Sequence, residues 1–287
     1  MADSEDAITQ EEIEGIAPAP FPAATDAAPS VSQGTKRNAF TELMAPRPKK
    51  PSTSEEAGES AVVSRGKSFA RRDGLGAYIE DPGSHAQAVI FHNEDFVAIH
   101  DKYPKASVHT LLLPRSAAHR RQHPFDAFSD AGFLAAVRAE TARLRRHVGK
   151  ELQRRYGRYS ARDRRREAVL DGEEEAAELP PGRDWEAEVR VGVHAHPSMH
   201  DLHVHVLAPD MVSECMRHKK HYLSFSTPFL VDVADFPLAE DDPRRHPGRE
   251  GYLSWDLQCW RCGENFGNKF KQLKDHLALE FEMWKKE

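Results

Sequence analysis

Residues 198–210 read SMHDLHVHVLAPD, and the alternation in the middle of that run decides how the rest of the chain is read. In a strand, successive side chains point to opposite faces. Asp201, His203 and His205 then share one face, and Leu202, Val204 and Val206 share the other. The apolar face anchors the strand to a core, which lines up two imidazoles and a carboxylate on the opposite side. A polar occupant is expected there. Core histidines satisfied by backbone carbonyls, or a metal held by neutral imidazoles, are the other readings of this stretch taken alone.

A length of 287 residues permits one or two domains, and one domain of moderate size plus an appendage is expected. The formal net charge of -6 excludes a polycation that binds nucleic acid by bulk charge, so any such surface must be local. Three cysteines, two of them in Cys259-Trp-Arg-Cys262, do not make a secreted disulfide framework. The N-terminus has no run like a signal peptide, and no stretch approaches the roughly 18 apolar residues of a membrane span. A soluble protein of a reducing compartment is expected.

Residues 1–68 are rich in Ala, Pro, Ser, Thr and Glu without periodic hydrophobicity, and read as a disordered tail. Within it, Lys36-Arg37 and Arg47-Pro48-Lys49-Lys50 are a candidate nuclear-import signal. Phe40, Leu43 and Met44 lie between them at the spacing of a helical turn able to dock on a repair-protein partner. From 69 the texture changes. Ala88–Phe91, Phe96–His100 and Val108–Leu113 read as antiparallel strands, residues 126–158 as one long amphipathic helix, and Ala187–His194 and Leu202–Ala208 as further strands. Strands, helix, then strands make an α+β domain over 69–235. A segment crowded with arginines and then acids, about 159–184, reads as a mobile charged insertion. A Pro- and Asp-rich linker over 236–250 precedes a separate small unit, 251–287.

The string IHDKYPKASVHTLLLP at 99–114, followed far downstream by His203-Val-His205-Val, resembles the histidine-triad superfamily of nucleotide hydrolases and transferases. Within that superfamily, Asp101-Lys-Tyr-Pro-Lys-Ala106, His194-Ala-His-Pro-Ser198-Met199 and Lys219-Lys-His-Tyr-Leu-Ser-Phe225 are similar to the branch that pairs the triad domain with a zinc finger and acts on DNA 5'-adenylates. The resemblance covers roughly 70–287. It implies an antiparallel sheet with helices, followed by a small zinc-finger domain.

It also implies roles. His203 is the nucleophile, while His205, His194 and His109 bind phosphate or compensate its charge. Asp101 takes the ribose hydroxyls, Ser198 donates to phosphate, and Lys105, Lys220 and His221 complete the nucleotide site. Ile99 and Leu111 help enclose the adenine. The chemistry is coherent, because a neutral imidazole can attack phosphorus and split one hard displacement into two easier ones. Surrounding donors then stabilise the transition state. The implied activity is removal of AMP from abortive ligation intermediates in the nucleus, during single-strand break repair, with no catalytic metal. A small-nucleotide hydrolase of the same superfamily and a DNA-binding adapter with a vestigial pocket are the alternatives.

One departure stands out. The superfamily places a histidine two residues before the nucleophile, and this chain has Asp201 there, with His200 one position earlier and on the other strand face. In the superfamily a backbone carbonyl near that position orients the nucleophilic ring, and a carbonyl survives any change of side chain.

The C-terminal unit carries Cys259-x2-Cys262-x13-His276-x3-Glu280. Two thiolates on a short knuckle and two ligands one helical turn apart form a tetrahedral, structural zinc site. Arg261, Lys269, Lys271 and Lys274 give this unit a local basic face, and Lys219 lies just after the catalytic strand. All are expected to hold DNA backbone. Trp260, Phe266 and Phe270 are stacking candidates or miniature core, with Phe270 expected inside.

Overall fold

In the computed structural model, which describes residues 72–287, six antiparallel strands carry the architecture. The import signal and the Phe40, Leu43, Met44 turn lie outside the described residues. Strands β1 (Val89–His92), β2 (Phe96–His100), β3 (His109–Pro114), β4 (Arg190–His194), β5 (Val204–Leu207) and β6 (Leu230–Asp232) order themselves β1-β2-β3-β5-β4-β6. The strand expected from residue 187 starts three positions later, at Arg190. Its first residues turn instead, with Val189 N–H donating to Glu186 O at 3.2 Å and the Arg145 guanidinium holding that carbonyl at 2.9 Å.

Alternation sorts the sheet into two faces. Phe96, Ala98, Leu112, Val204 and Val206 pack with helix α2 (Ala131–Tyr156) in the main core. The α2 stripe of Phe133, Leu134, Val137, Leu144, Val148 and Leu152 is buried, and Thr141 within it satisfies its hydroxyl on Val137 O at 2.8 Å. The single helix expected over 126–158 is two pieces, because the Asp130 side chain accepts from Phe133 N–H at 3.0 Å and starts α2 afresh after a turn at Pro124–Ala127. On the opposite face Val97, Ile99, Leu111 and Leu113 pack against Leu75 and Ile79, which flank and belong to the short helix α1 (Gly76–Glu80). His109 and His205 sit on that second face, since they alternate with Thr110 and Val206.

The charged insertion is anchored. Ser160 caps helix α3 (Ala161–Leu170), and the buried Asp163 carboxylate accepts from Trp185 Nε1 at 2.7 Å and from Arg183 N–H at 2.8 Å. Its outer charges do pair in solvent, as Arg165 with Glu174 at 3.2 Å. Asp163→Ala strands two buried donors, and a stability loss of about 2–4 kcal/mol is expected in urea unfolding. An unchanged midpoint would count against the anchor.

Helix α4 (Lys219–Ser226) leads to the C-terminal unit of β7 (Leu257–Gln258), β8 (Asn265–Gly267) and α5 (Phe270–Trp284). Leu253, Leu257, Cys259, Leu273, Leu277 and Trp284 belong to the same continuous core as the sheet and α2, so this unit is not separate. Aromatic anchors explain why. Tyr222 OH donates to Gln258 O at 2.7 Å and accepts from Trp260 N–H at 2.9 Å. The Arg183 guanidinium lies against both the Trp185 and Trp284 rings, 4.0 and 4.8 Å from their centroids, and donates to Trp284 O at 2.6 Å. Among the described residues, no helix is long and apolar enough to cross a membrane.

Candidate active site and metal centre

Four buried histidines meet on the second face of the sheet: His109 from β3, His194 from β4, His205 from β5, and His203 just before β5. Their hydrogen bonds fix the tautomers by inference. Lys105 N–H donates to His109 Nδ1 at 3.0 Å, so the His109 proton sits on Nε2. That Nε2–H lies 3.0 Å from His205 Nδ1, which must accept, so His205 carries its proton on Nε2. His205 Nε2 is buried with no partner among the described residues, a donor waiting for an acceptor.

His203 is set the other way. Its Nδ1–H donates to Asp201 O at 2.8 Å, which leaves Nε2 with a lone pair. Ring nitrogens of His194, His203 and His205 lie within 4.8 Å of one another. A protonated His205 Nε2 suits a phosphate oxygen and not a metal ion, and a bare His203 Nε2 beside it suits attack on phosphorus. The Phe225 ring of α4 packs against His109, His194 and His205 at 5.3, 4.8 and 5.0 Å and keeps water off their backs. Phe225 stands in a quoted motif, yet nothing in the sequence marked its role.

Burial holds these rings neutral. It pushes His109 down to about 4 and puts His194 and His205 well below the ordinary value of 6.5. Burial also lowers His203, against the opposing hydrogen bond to Asp201 O. An imidazole with a depressed folded pKa binds fewer protons folded than unfolded between the two values. Its contribution is therefore complete above the unfolded value and is lost as pH falls toward the folded one. Urea-unfolding free energy should be flat above about pH 7 and drop below about pH 6.5, by up to about 1.4 kcal/mol per pH unit for each such ring. A curve flat down to about pH 5 would contradict this burial.

Of the other residues expected in the site, Asp101 and Lys105 adjoin His109. Asp101 Oδ2 lies 3.5 Å from His109 Nε2 while its Oδ1 accepts from Tyr103 N–H at 2.8 Å. Lys105 is buried, with Nζ on Tyr103 O at 2.6 Å. His221 is buried, its Nδ1 accepting from Arg217 N–H at 3.2 Å and its Nε2 without a hydrogen-bond partner among the described residues. Burial takes it to about 3. Ser198 is buried in the β4–β5 loop, and Lys220 occupies the first turn of α4 beside His221. Ile99 and Leu111 belong to the apolar wall under α1.

At the other site Cys259, Cys262, His276 and Glu280 bring one ligand atom each within 4.8 Å of the others, with Cys262 Sγ 3.2 Å from His276 Nε2. Two thiolates, an imidazole and a carboxylate are a donor set fit for zinc in a closed tetrahedron. Arg261 does not stay free for DNA. Its guanidinium pairs with Glu280 Oε2 and with Glu287, while Glu280 Oε1 faces His276 Nε2 at 3.4 Å. The arginine thus orients the ligand carboxylate, as outer partners of metal ligands do. Lys219 is also engaged, its Nζ on Asn268 Oδ1 at 2.5 Å, which ties α4 to the finger. Lys269, Lys271 and Lys274 are exposed, and Phe270, Trp260 and Phe266 are half-buried against the core instead of inside it.

Two family models match this chain: HIT domain over residues 83–212, and C2HE / C2H2 / C2HC zinc-binding finger over 226–283. An aprataxin-like protein of Schizosaccharomyces pombe is 32% identical over 220 residues, covering 74% of this chain and 82% of that protein. The chain belongs to the aprataxin family. The aprataxin ortholog Hnt3, solved in complex with DNA, matches with a TM-score of 0.58 at 29% identity, over 74% of this chain and 96% of that one. Hnt3 in complex with DNA and guanosine matches equally, at 0.58 and 30% identity over 74% and 96%. The aprataxin pattern therefore spans the sheet domain and the finger together, which agrees with their shared core.

Proposed function

We propose that this aprataxin-family protein is a nuclear DNA 5'-adenylate hydrolase that repairs abortive ligation intermediates in single-strand break repair. The observation that carries the reading is the opposed tautomer pair, with a bare His203 Nε2 next to a protonated, unpartnered His205 Nε2. His203 Nε2 attacks the phosphorus of AMP and forms a P–N bond. The P–O bond to the DNA 5'-phosphate breaks, and the oxygen of that phosphate leaves with the electron pair. Water then attacks the adenylyl-histidine, breaks the P–N bond and releases AMP.

His205 donates its Nε2–H to a non-bridging oxygen as charge builds there, with His194, Ser198 and the protonated Nε2 of His221 around it. Lys105 and Lys220 add positive charge for the phosphates, and Asp101 accepts from the ribose. Zinc, where bound, fixes the finger's fold. Lys269, Lys271 and Lys274 stand in the first turns of α5, whose first turn has no acid. Cations there add to the positive end of the helix dipole, which suits phosphate binding without sequence reading. The match to Hnt3 solved with DNA and guanosine supports a nucleoside pocket beside a DNA surface.

The reading is tested by incubating the protein with nicked duplex bearing a 5'-adenylate, in competition with a free adenosine phosphoramidate. Faster release of AMP from the DNA, leaving a 5'-phosphate, is expected. Preference for the free nucleotide would point to a small-molecule hydrolase, and no release from either to a binding adapter. Because burial lowers both His203 and His205, any fall of kcat/KM on the acid side should come at lower pH than a free imidazole would give.

A further inference from the structure

Asp201 stands where the superfamily carries a histidine, and its side chain is the most deeply buried acid of the site, at 0% exposure. A buried carboxylate persists only when it is paired. Arg120 Nε donates to Asp201 Oδ1 at 2.8 Å, and Arg121 Nε lies 3.1 Å from the same oxygen. The next amide is held by the same loop, with Leu202 N–H donating to Arg120 O at 2.7 Å. Between these two attachments lies the Asp201 carbonyl, the group that takes the His203 Nδ1–H.

The outer ends of the clamp reach the segment that covers the pocket wall. Arg120 Nη2 bonds Glu80 Oε1 at 3.2 Å, Arg121 pairs with Asp73, and His200 Nδ1 lies 3.2 Å from Asp73 Oδ1. Helix α1 approaches closely enough that a Cβ on Gly76 would sit 3.1 Å from Arg120 Nη2 and 3.8 Å from Asp201 Oδ2.

We propose that Asp201, gripped by Arg120 and Arg121, is the positioning residue for His203, setting the carbonyl that fixes the ring's tautomer and aim. The proposal rests on the reading of His203 as nucleophile. Asp201 touches no reacting atom and acts through its own backbone. A histidine at this position would present no fixed negative charge to two arginines, so the acid and the arginine pair form one device in this chain. If the carbonyl shifts, His203 loses its Nδ1–H partner, Nε2 takes up the proton in part of the population, and the ring swings off line.

The experiment compares the full-length, zinc-loaded protein with Asp201→Asn and Asp201→Ala, in two arms. In the first, AMP release from nicked, adenylated duplex is measured at saturating and limiting substrate. Asp201→Ala should lower kcat about 100-fold, the scale of a misplacement near 1 Å. Asp201→Asn keeps the shape and loses the charge, and about a tenfold loss is expected. KM should stay within about twofold in both, since no binding contact is removed. In the second arm, histidine side-chain nitrogen NMR of the ligand-free protein should show a single Nδ1–H tautomer for His203, turning to a mixture in Asp201→Ala.

Folded variants with unchanged kcat would overturn the proposal. A fall in melting temperature with the His203 tautomer intact would also overturn it, by reducing Asp201 to a structural role. If Asp201→Ala does not fold, Asp201→Asn carries both arms. If wild type releases no AMP, the deadenylase reading fails, while the tautomer arm still decides whether Asp201 sets His203.

Discussion

His203→Ala is expected to lower DNA deadenylation by about 10⁴-fold or more while leaving affinity for nicked duplex unchanged. The variant removes the pocket imidazole whose Nδ1–H is committed to the Asp201 carbonyl and whose Nε2 is therefore bare. His205 does not step in, because its Nδ1 is already taken by His109 and its Nε2 carries the proton. The exposed lysines of α5 lie on a different element and are untouched. Gel assay of 5'-phosphate product beside a binding titration checks both halves. Activity above about 1% of wild type would mean that another group attacks phosphorus.

Removing the metal, or substituting Cys259 with serine, is expected to do more than silence a peripheral module. Zinc affinity in small fingers is folding free energy, on the order of 10 kcal/mol in isolated peptides. Here Cys259 and the finger residues Leu257, Leu273, Leu277 and Trp284 are part of the catalytic domain's own core. Loss of α5 exposes that core and strips the buried Arg183 guanidinium of Trp284 O and of its second aromatic wall. Chelation should therefore lower the melting temperature of the whole protein and weaken DNA binding at least about tenfold. The check is thermal unfolding and a duplex titration before and after chelation, with zinc added back. Unchanged melting and binding after verified loss of metal would show that the finger is held by packing alone.

Where the information was local, the sequence disclosed it. The alternation at 201–206 placed the histidines on one face and the valines on the other, and the β3 string supplied His109 and Asp101. The i, i+4 pair His276 and Glu280 placed half of the zinc site on one helix. Where the information lay in distant pairs, it was hidden. Arg120 and Arg121 meet Asp201 across 81 residues or nearly so, and no period or motif links them. The charged insertion looked solvated because its composition is polar, yet the single residue Asp163 turns inward and pins it. Arg261 looked like a phosphate ligand by composition, and its partners proved to be Glu280 and Glu287. That pairing also accounts for a glutamate in a ligand position, since the guanidinium offsets the added negative charge.

The central claim is a covalent bond between AMP and His203. Protein mixed briefly with nicked, 5'-adenylated duplex, quenched in alkali to preserve the acid-labile P–N bond and digested for mass spectrometry should yield an adenylylated peptide. The modification should map to His203 and be absent from His203→Ala. Release of AMP without any adenylylated peptide, or an adenylate on a different side chain, would contradict the account.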